Sequence, residues 1–249
     1  MADPEPAHQA QPLHDPDVDR GGIGRQLRDI ILGGQDGLVN VLGLVLGVAA
    51  ATQKTQVIIV AGLAATFSES IAMGGVMYTS LLAERDYYLA MLAKEQQEVE
   101  ELPDVETEEV RQIFREKGLH GEVLERLVKE ITSDKKVWVD VMMRDELHLT
   151  PVSGTGVVGR AFVTGFATLV GSLIPLIPFL FVPLFGISVT AATIMAVPLC
   201  AAVLFAVGAY KALTLVGDWR MSGLQMLIIG MASAFAGYLI GRLLHVSGA

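Results

Sequence analysis

Cysteine, charge and aromatic residues are all scarce in this chain, and each shortage narrows what it can be. The single cysteine, Cys200, supports neither a disulfide framework nor a thiolate metal site, and it sits inside an apolar run. Charged residues make up 18% of the 249 positions against 52% hydrophobic, and the mean hydropathy is +0.50. A water-soluble domain of this length needs more polar surface, so the composition is that of a membrane protein. With 18 basic and 27 acidic residues the net charge is −9, which excludes the basic footprint of a nucleic-acid binder. The first residues are polar and proline-rich (PEPAHQAQPLHDPDVD) and lack an apolar h-region. No cleavable signal peptide is expected, and positions 1–22 read as a disordered tail in which His8 and His14 are solvated.

Long apolar runs are what the chain does have. About 20 apolar residues cross a bilayer's hydrocarbon core. Ile30 to Ala51 forms one such run, Val57 to Ala83 a second, and Met221 to Gly241 the last. Ala161 to Tyr210 is fifty residues without a charge, too long for one crossing. Pro175, Pro178, Pro183 and Gly186 mark where it breaks into two spans, and Pro198 is expected to kink the second of these. The fold expected is all-α, with five transmembrane helices and a cytoplasmic helical metal-binding domain between the second and third. Residues 23–83 hold a lead-in and two spans, 84–150 the inserted domain, and 151–249 three more spans. Arg20, Arg25 and Arg28 precede the first span, Arg85 follows the second, Arg160 precedes the third, and Lys211 and Arg220 flank the loop before the fifth. By the positive-inside rule the N-terminus and the insert are cytoplasmic and the C-terminus lies opposite.

The composition changes abruptly over residues 81–150, which hold 18 acids and 10 bases. Val110, Ile113 and Phe114, then Leu124, Leu127, Val128 and Ile131, recur at helical spacing, and Pro103, Gly118 and Gly121 interrupt. Ser133 or Asp134 can cap a last helix through Trp138. Eight acids and no base lie between Glu95 and Glu109. Glu95 and Glu98 share a helix face, as do Glu106 and Glu109, and such like-charge pairs cost a few tenths of a kcal/mol each. A bound cation reverses that sign, although a solvated acidic face has the same spacing. In WVDVMMRDELHL, Met142, Met143 and Glu146 converge at spacings of three and four. Thioethers suit a transition metal, and methionines also simply pack small cores.

Polar residues interrupt the first two spans. Asp36, Asn40, Gly43 and Gly47 make one stripe on the first, where the glycines leave room beside the acid. Glu69, Met73, Met77 and Ser80 share a face of the second. A carboxylate in the bilayer is costly, so an intramembrane acid is a functional candidate by default. Gly33/Gly37 and Gly43/Gly47 suit close helix approach, either in a dimer or within one chain.

RDIILGGQDGL in span one, SIAMGG in span two, and KEQQEVEELPDVETEEV with WVDVMMRDEL in the insert resemble the vacuolar iron transporter family, over essentially the whole chain after residue 20. The resemblance implies a homodimer in the lipid bilayer that exports Fe2+ from the cytosol with protons as counter-ion, with Mn2+, Zn2+ or other divalent metals as further substrates. It puts Asp36 and Met73 on the membrane path, where Asn40 and Glu69 join them. It makes Glu95, Glu98, Glu106, Glu109, Met142, Met143 and Glu146 the cytosolic metal ligands. The plant-type members carry their span-two glutamate where Ala65 stands here, and this chain has Glu69 one helical turn later. The membrane is the cell inner membrane in a prokaryote or the vacuolar membrane in a eukaryote. An anchored metal sensor or storage protein is the competing class, against which the intramembrane acids argue. Ferroxidase chemistry uses Glu-x-x-His pairs, which the insert lacks, so no enzyme is expected.

The charge bias makes a test. In a Cys200→Ala background, single cysteines placed near Gln11 and near Ser247 are expected to label from opposite sides of the membrane. Labelling from one side would mean an even number of spans.

Overall fold

A computed structural model describes residues 16–151, 156–214 and 217–244, so most of the expected tail lies outside the described residues. The described part is helical, and five of its helices are long and apolar enough to cross a membrane. The chain divides into two compact units: one comprises residues up to Gly75 together with those from Arg160 onward, and the other is Val76–Gly159.

In the first unit, α1 (Pro16–Thr52) ends where Gln53 takes φ +53° and its side-chain amide donates to the Ala49 carbonyl at 2.7 Å. A left-handed residue whose own side chain caps the last turn reverses the chain in two positions. α2 (Thr55–Glu101) comes directly after it. The third span is α6 (Val157–Leu173), a 3-10 turn at Ile174–Leu176, and α7 (Ile177–Phe185). Pro175 and Pro178 fall in first turns, where a missing N–H costs no hydrogen bond, so they modulate the span without ending it. The break comes at Gly186, whose φ of +67° only glycine adopts freely. α8 (Val189–Thr214), with Pro198 inside it, and α9 (Trp219–Leu243) complete the unit.

The core of this unit is built around α1. Leu38, Val41, Leu42, Val45 and Leu46 are buried against Phe179, Ala192, Ala196, Cys200, Leu204 and Ala234. α8 presents Ala192, Ala196, Cys200, Leu204, Gly208 and Ala212 at every fourth position, while Ile194 and Leu213 point outward. Such small-residue faces let helix backbones approach in an apolar solvent. Gly43 and Gly47 belong to this packing: side chains built on Gly237 and Gly241 would run into their backbones. Gly33, Gly34 and Gly37 similarly abut Thr164, Thr168, Gly171 and Ser172 of α6. The glycine pairs of α1 therefore serve packing within one chain, and α9 takes up the room that the stripe beside Asp36 suggested.

In the second unit the far part of α2 is followed by α3 (Pro103–Glu116), α4 (Gly121–Ser133) and α5 (Lys135–Val141). Pro103 opens α3, and Gly118 at φ +93° allows the turn after it. Asp134 caps α5, accepting from the Lys136 amide at 2.8 Å. α5 runs into a π-helical turn at Met142–Glu146. Val99, Val110, Leu124, Val128, Ile131, Trp138, Val139, Met142 and Met143 form the core, on the helix faces that the periodicity predicts.

Gly237→Ala is expected to lower thermal stability in detergent. Its Cβ would stand 2.7 Å from the Gly43 carbonyl carbon. Overpacking costs about 1–3 kcal/mol, more than the gain in helix propensity of about 1 kcal/mol. Gly159→Ala, whose Cβ meets nothing within 4 Å, is expected to leave the melting temperature unchanged or raise it. Equal effects at the two positions would remove the packing argument.

Candidate functional sites

Two polar clusters stand out, one in each unit. In the first, the side-chain amide of Asn40 bridges two carboxylates. It donates to Asp36 Oδ1 at 3.2 Å, one turn back on α1, and to Glu69 Oε1 across on α2. Both acids are half-buried, and Asn40 is exposed at the edge. One amide uses both its hydrogens to hold two acids from different helices together. Neighbouring hydroxyls are already occupied: Thr66 donates to the Gly62 carbonyl at 2.8 Å and Ser70 to that of Thr66 at 2.6 Å. Met73 is half-buried one turn beyond Glu69.

Two features near this cluster escape sequence reasoning. Asp29, 1% exposed, receives both arms of the Arg160 guanidinium, at 2.7 and 2.9 Å. A bidentate pair of this geometry compensates burial that a looser one would not. In the sequence Arg160 reads only as an orienting charge, and Asp29 falls one residue short of the apolar run. The second feature is a column on α6, where Thr164, Thr168 and Ser172 are all fully buried. Their spacing of four is visible in the sequence, but hydroxyl residues are common enough in apolar helices for it to carry no signal alone.

In the second unit some of the acids are paired with bases and others are not. Glu100, Glu108, Glu125, Asp140 and Asp145 form salt bridges with Lys135, Arg111, Arg144 and Lys117. Glu98 pairs with Lys94 at 2.8 Å. Among the described residues, Glu95, Glu106, Glu109 and Glu146 form no salt bridge. Glu95 and Glu106 are 2% and 4% exposed, and each has a buried Oε2 without a hydrogen-bond partner. Burial above all, then the charges of Glu109, Glu95, Glu98 and Glu146, pushes the Glu106 carboxyl up to about 7. Glu146 is raised as well, by burial first and then by Glu109 and Glu95. The five predicted glutamates thus lie within electrostatic reach of one another, from α2, α3 and the π-helical turn.

Met142 and Met143 are buried in the adjoining core. No group of three or more His, Cys, Asp or Glu side chains among the described residues is gathered tightly enough to hold a metal ion ready-made. The orphaned oxygens of Glu95 and Glu106 are nonetheless the donor chemistry a divalent cation satisfies.

Five membrane-length helices, with an amide-bridged carboxylate pair on two of them, define an integral membrane protein that keeps charge inside its helical bundle. The model of the VIT family matches residues 27–242, and the chain belongs to that family. It is 32% identical to vacuolar iron transporter 1 of Tulipa gesneriana, over 87% of this chain and 86% of that protein. It is 31% identical to vacuolar iron transporter 1 of Arabidopsis thaliana, over 64% of each chain. The vacuolar iron transporter of Plasmodium falciparum is 37% identical over 49% of this chain and 45% of its own. These relatives are transporters, and no enzyme is among them.

The state of Glu106 gives the second unit a pH dependence. A carboxyl raised to about 7 in the folded chain binds its proton more tightly there than when unfolded. Its contribution is therefore fully present below the ordinary carboxylate range and is lost as pH rises towards 7. In a Trp219→Phe background, fluorescence of buried Trp138 reports this unit. The part of its urea stability owed to Glu106 is expected to fall between pH 5 and pH 8 by at most about 3 kcal/mol. Glu106→Gln is expected to flatten most of that slope, and an unchanged slope would assign it to other groups.

Proposed function

We propose that this protein carries Fe2+ out of the cytosol in exchange for protons, and that its inserted unit is a cytoplasmic domain that captures the ion. The observation that carries the reading is the Asn40 amide bridging Asp36 and Glu69. Two carboxylates inside a membrane bundle are expensive unless a cation or protons neutralise them. A divalent ion entering between them replaces the amide donor, and protons take its place when it leaves. Each site group then alternates between ion and proton, which is the minimum an antiporter needs. Met73 stands on the same face of α2 for a cation of intermediate softness. The vacuolar iron transporter names of the relatives support Fe2+ as the substrate.

Glu95, Glu98, Glu106, Glu109 and Glu146 supply the oxygen donors of the capture site, and the sulfurs of Met142 and Met143 border it. The charge bias of the loops supports a cytoplasmic N-terminus and insert. The working form is a homodimer in the inner or vacuolar membrane. The path's own oxygen donors, Asp36, Asn40 and Glu69, serve Mn2+ as well as Fe2+, which favours a second reading as a manganese or broad-range exporter.

Reconstituted vesicles test the reading. Wild-type protein is expected to move Fe2+ with counter-movement of protons recorded by an internal pH dye. Asp36→Asn keeps size and hydrogen bonding but removes the charge, and is expected to reduce both signals to those of empty vesicles while leaving metal binding by the insert intact. Near-normal Fe2+ flux in a well-folded Asp36→Asn protein would place the path elsewhere.

A further inference from the structure

Ser172 is fully buried on α6, and among the described residues its Oγ is the one buried hydroxyl oxygen that forms no hydrogen bond of good geometry. Its neighbours show what a serine or threonine in this bundle ordinarily does. Thr164 donates to the Arg160 carbonyl and Thr168 to the Thr164 carbonyl, both at 2.9 Å, folding back onto their own helix. Ser172 breaks the pattern. Its hydroxyl is turned against Gly37 of α1, the residue after Asp36, at a spot where any side chain on Gly37 would collide with it. It makes only a loose hydrogen-bonding contact with the Glu69 carboxylate, short of good geometry. A buried hydroxyl held this loosely recovers little of its desolvation penalty, which a sequence can shed by placing alanine there.

We propose that Ser172 is a third-helix oxygen donor to the transported cation, completing with Asp36 and Glu69 a site whose members come from α1, α2 and α6. The inference rests on the transport reading proposed for the Asp36–Glu69 pair. The hydroxyl is held loosely beside Glu69, free to turn to the passing ion, and the glycine at 37 keeps α1 close enough to α6 for it to reach the site. A hydroxyl oxygen is a hard donor, so Ser172 also biases the choice among divalent ions towards those that accept oxygen.

Three measurements on the reconstituted full chain test this: flux of Fe2+, the ratio of Zn2+ to Mn2+ flux, and thermal stability. Ser172→Ala is expected to lower Fe2+ flux by about tenfold or more, as loss of a supporting ligand does. The same change removes a poorly satisfied group, so its melting temperature is expected to stay level or rise. Ser172→Cys substitutes a softer donor of similar size and is expected to raise the Zn2+ to Mn2+ ratio several-fold. Wild-type flux in Ser172→Ala would overturn the proposal. So would lost flux accompanied by a lower melting temperature and an unchanged ion ratio in Ser172→Cys, since that combination marks a packing role. Vesicles in which the wild-type protein moves no divalent ion would overturn the transport reading itself, whatever the variants do.

Discussion

Lipid chains are as apolar as leucine, so helices in a bilayer gain little by hiding apolar side chains from them. Close contact between backbones helps hold the helices of the first unit together, and α1 makes several of those contacts. Its Gly43 and Gly47 lie against Gly237 and Gly241 of α9, and its Gly33, Gly34 and Gly37 against α6. This closeness brings polar groups within each other's reach. With Gly37 seated on α6, Asp36 and Asn40 are presented towards Glu69, and Ser172 stands behind them. The same closeness lets the Arg160 guanidinium reach Asp29 with both arms.

The second unit works by a different rule, since its core is a conventional apolar one of Val110, Leu124, Val128, Trp138 and the two methionines. There the informative feature is how charge is apportioned. Several acids on the outer faces, Glu100, Glu108 and Glu125 among them, are matched with lysine or arginine, and surface pairs of that kind contribute little to stability. Glu95 and Glu106 are instead buried with oxygens unsatisfied. Those oxygens are the donors that a divalent cation would satisfy.

Much of this was legible in the sequence because hydropathy and helical periodicity are local. The five spans, the place of the insert, the core positions of α3 and α4 and the Asp134 cap are all set by residues within a few positions of one another. Asp36, Asn40 and Glu69 stood out because polar residues are conspicuous in apolar runs. Other features depend on partners far along the chain. Whether Gly43 faces a second copy or α9 is settled by where residue 237 lies, nearly two hundred positions away. Asp29 and Arg160 are 131 apart, and each alone looks like an ordinary charge at the end of a span. The proline cluster misled for a related reason: whether Pro175 ends a helix depends on the turn in which it falls, and composition does not say. Nor did the spacing of Met142, Met143 and Glu146 reveal the turn on which they sit, because a heptad-like pattern does not distinguish an α-helix from a locally widened one.

That widened turn has a consequence for how the segment can change. A π-helical turn is geometrically an α-helix that has taken in one extra residue. Rewinding Met142–Glu146 into regular α-helix without removing a residue would rotate the C-terminal side of the turn by about 100° relative to α5. Glu146 would then swing away from Glu109 and Glu95 even with every side chain chemically unchanged. The winding of this stretch is thus itself part of the site, whatever side chains it carries.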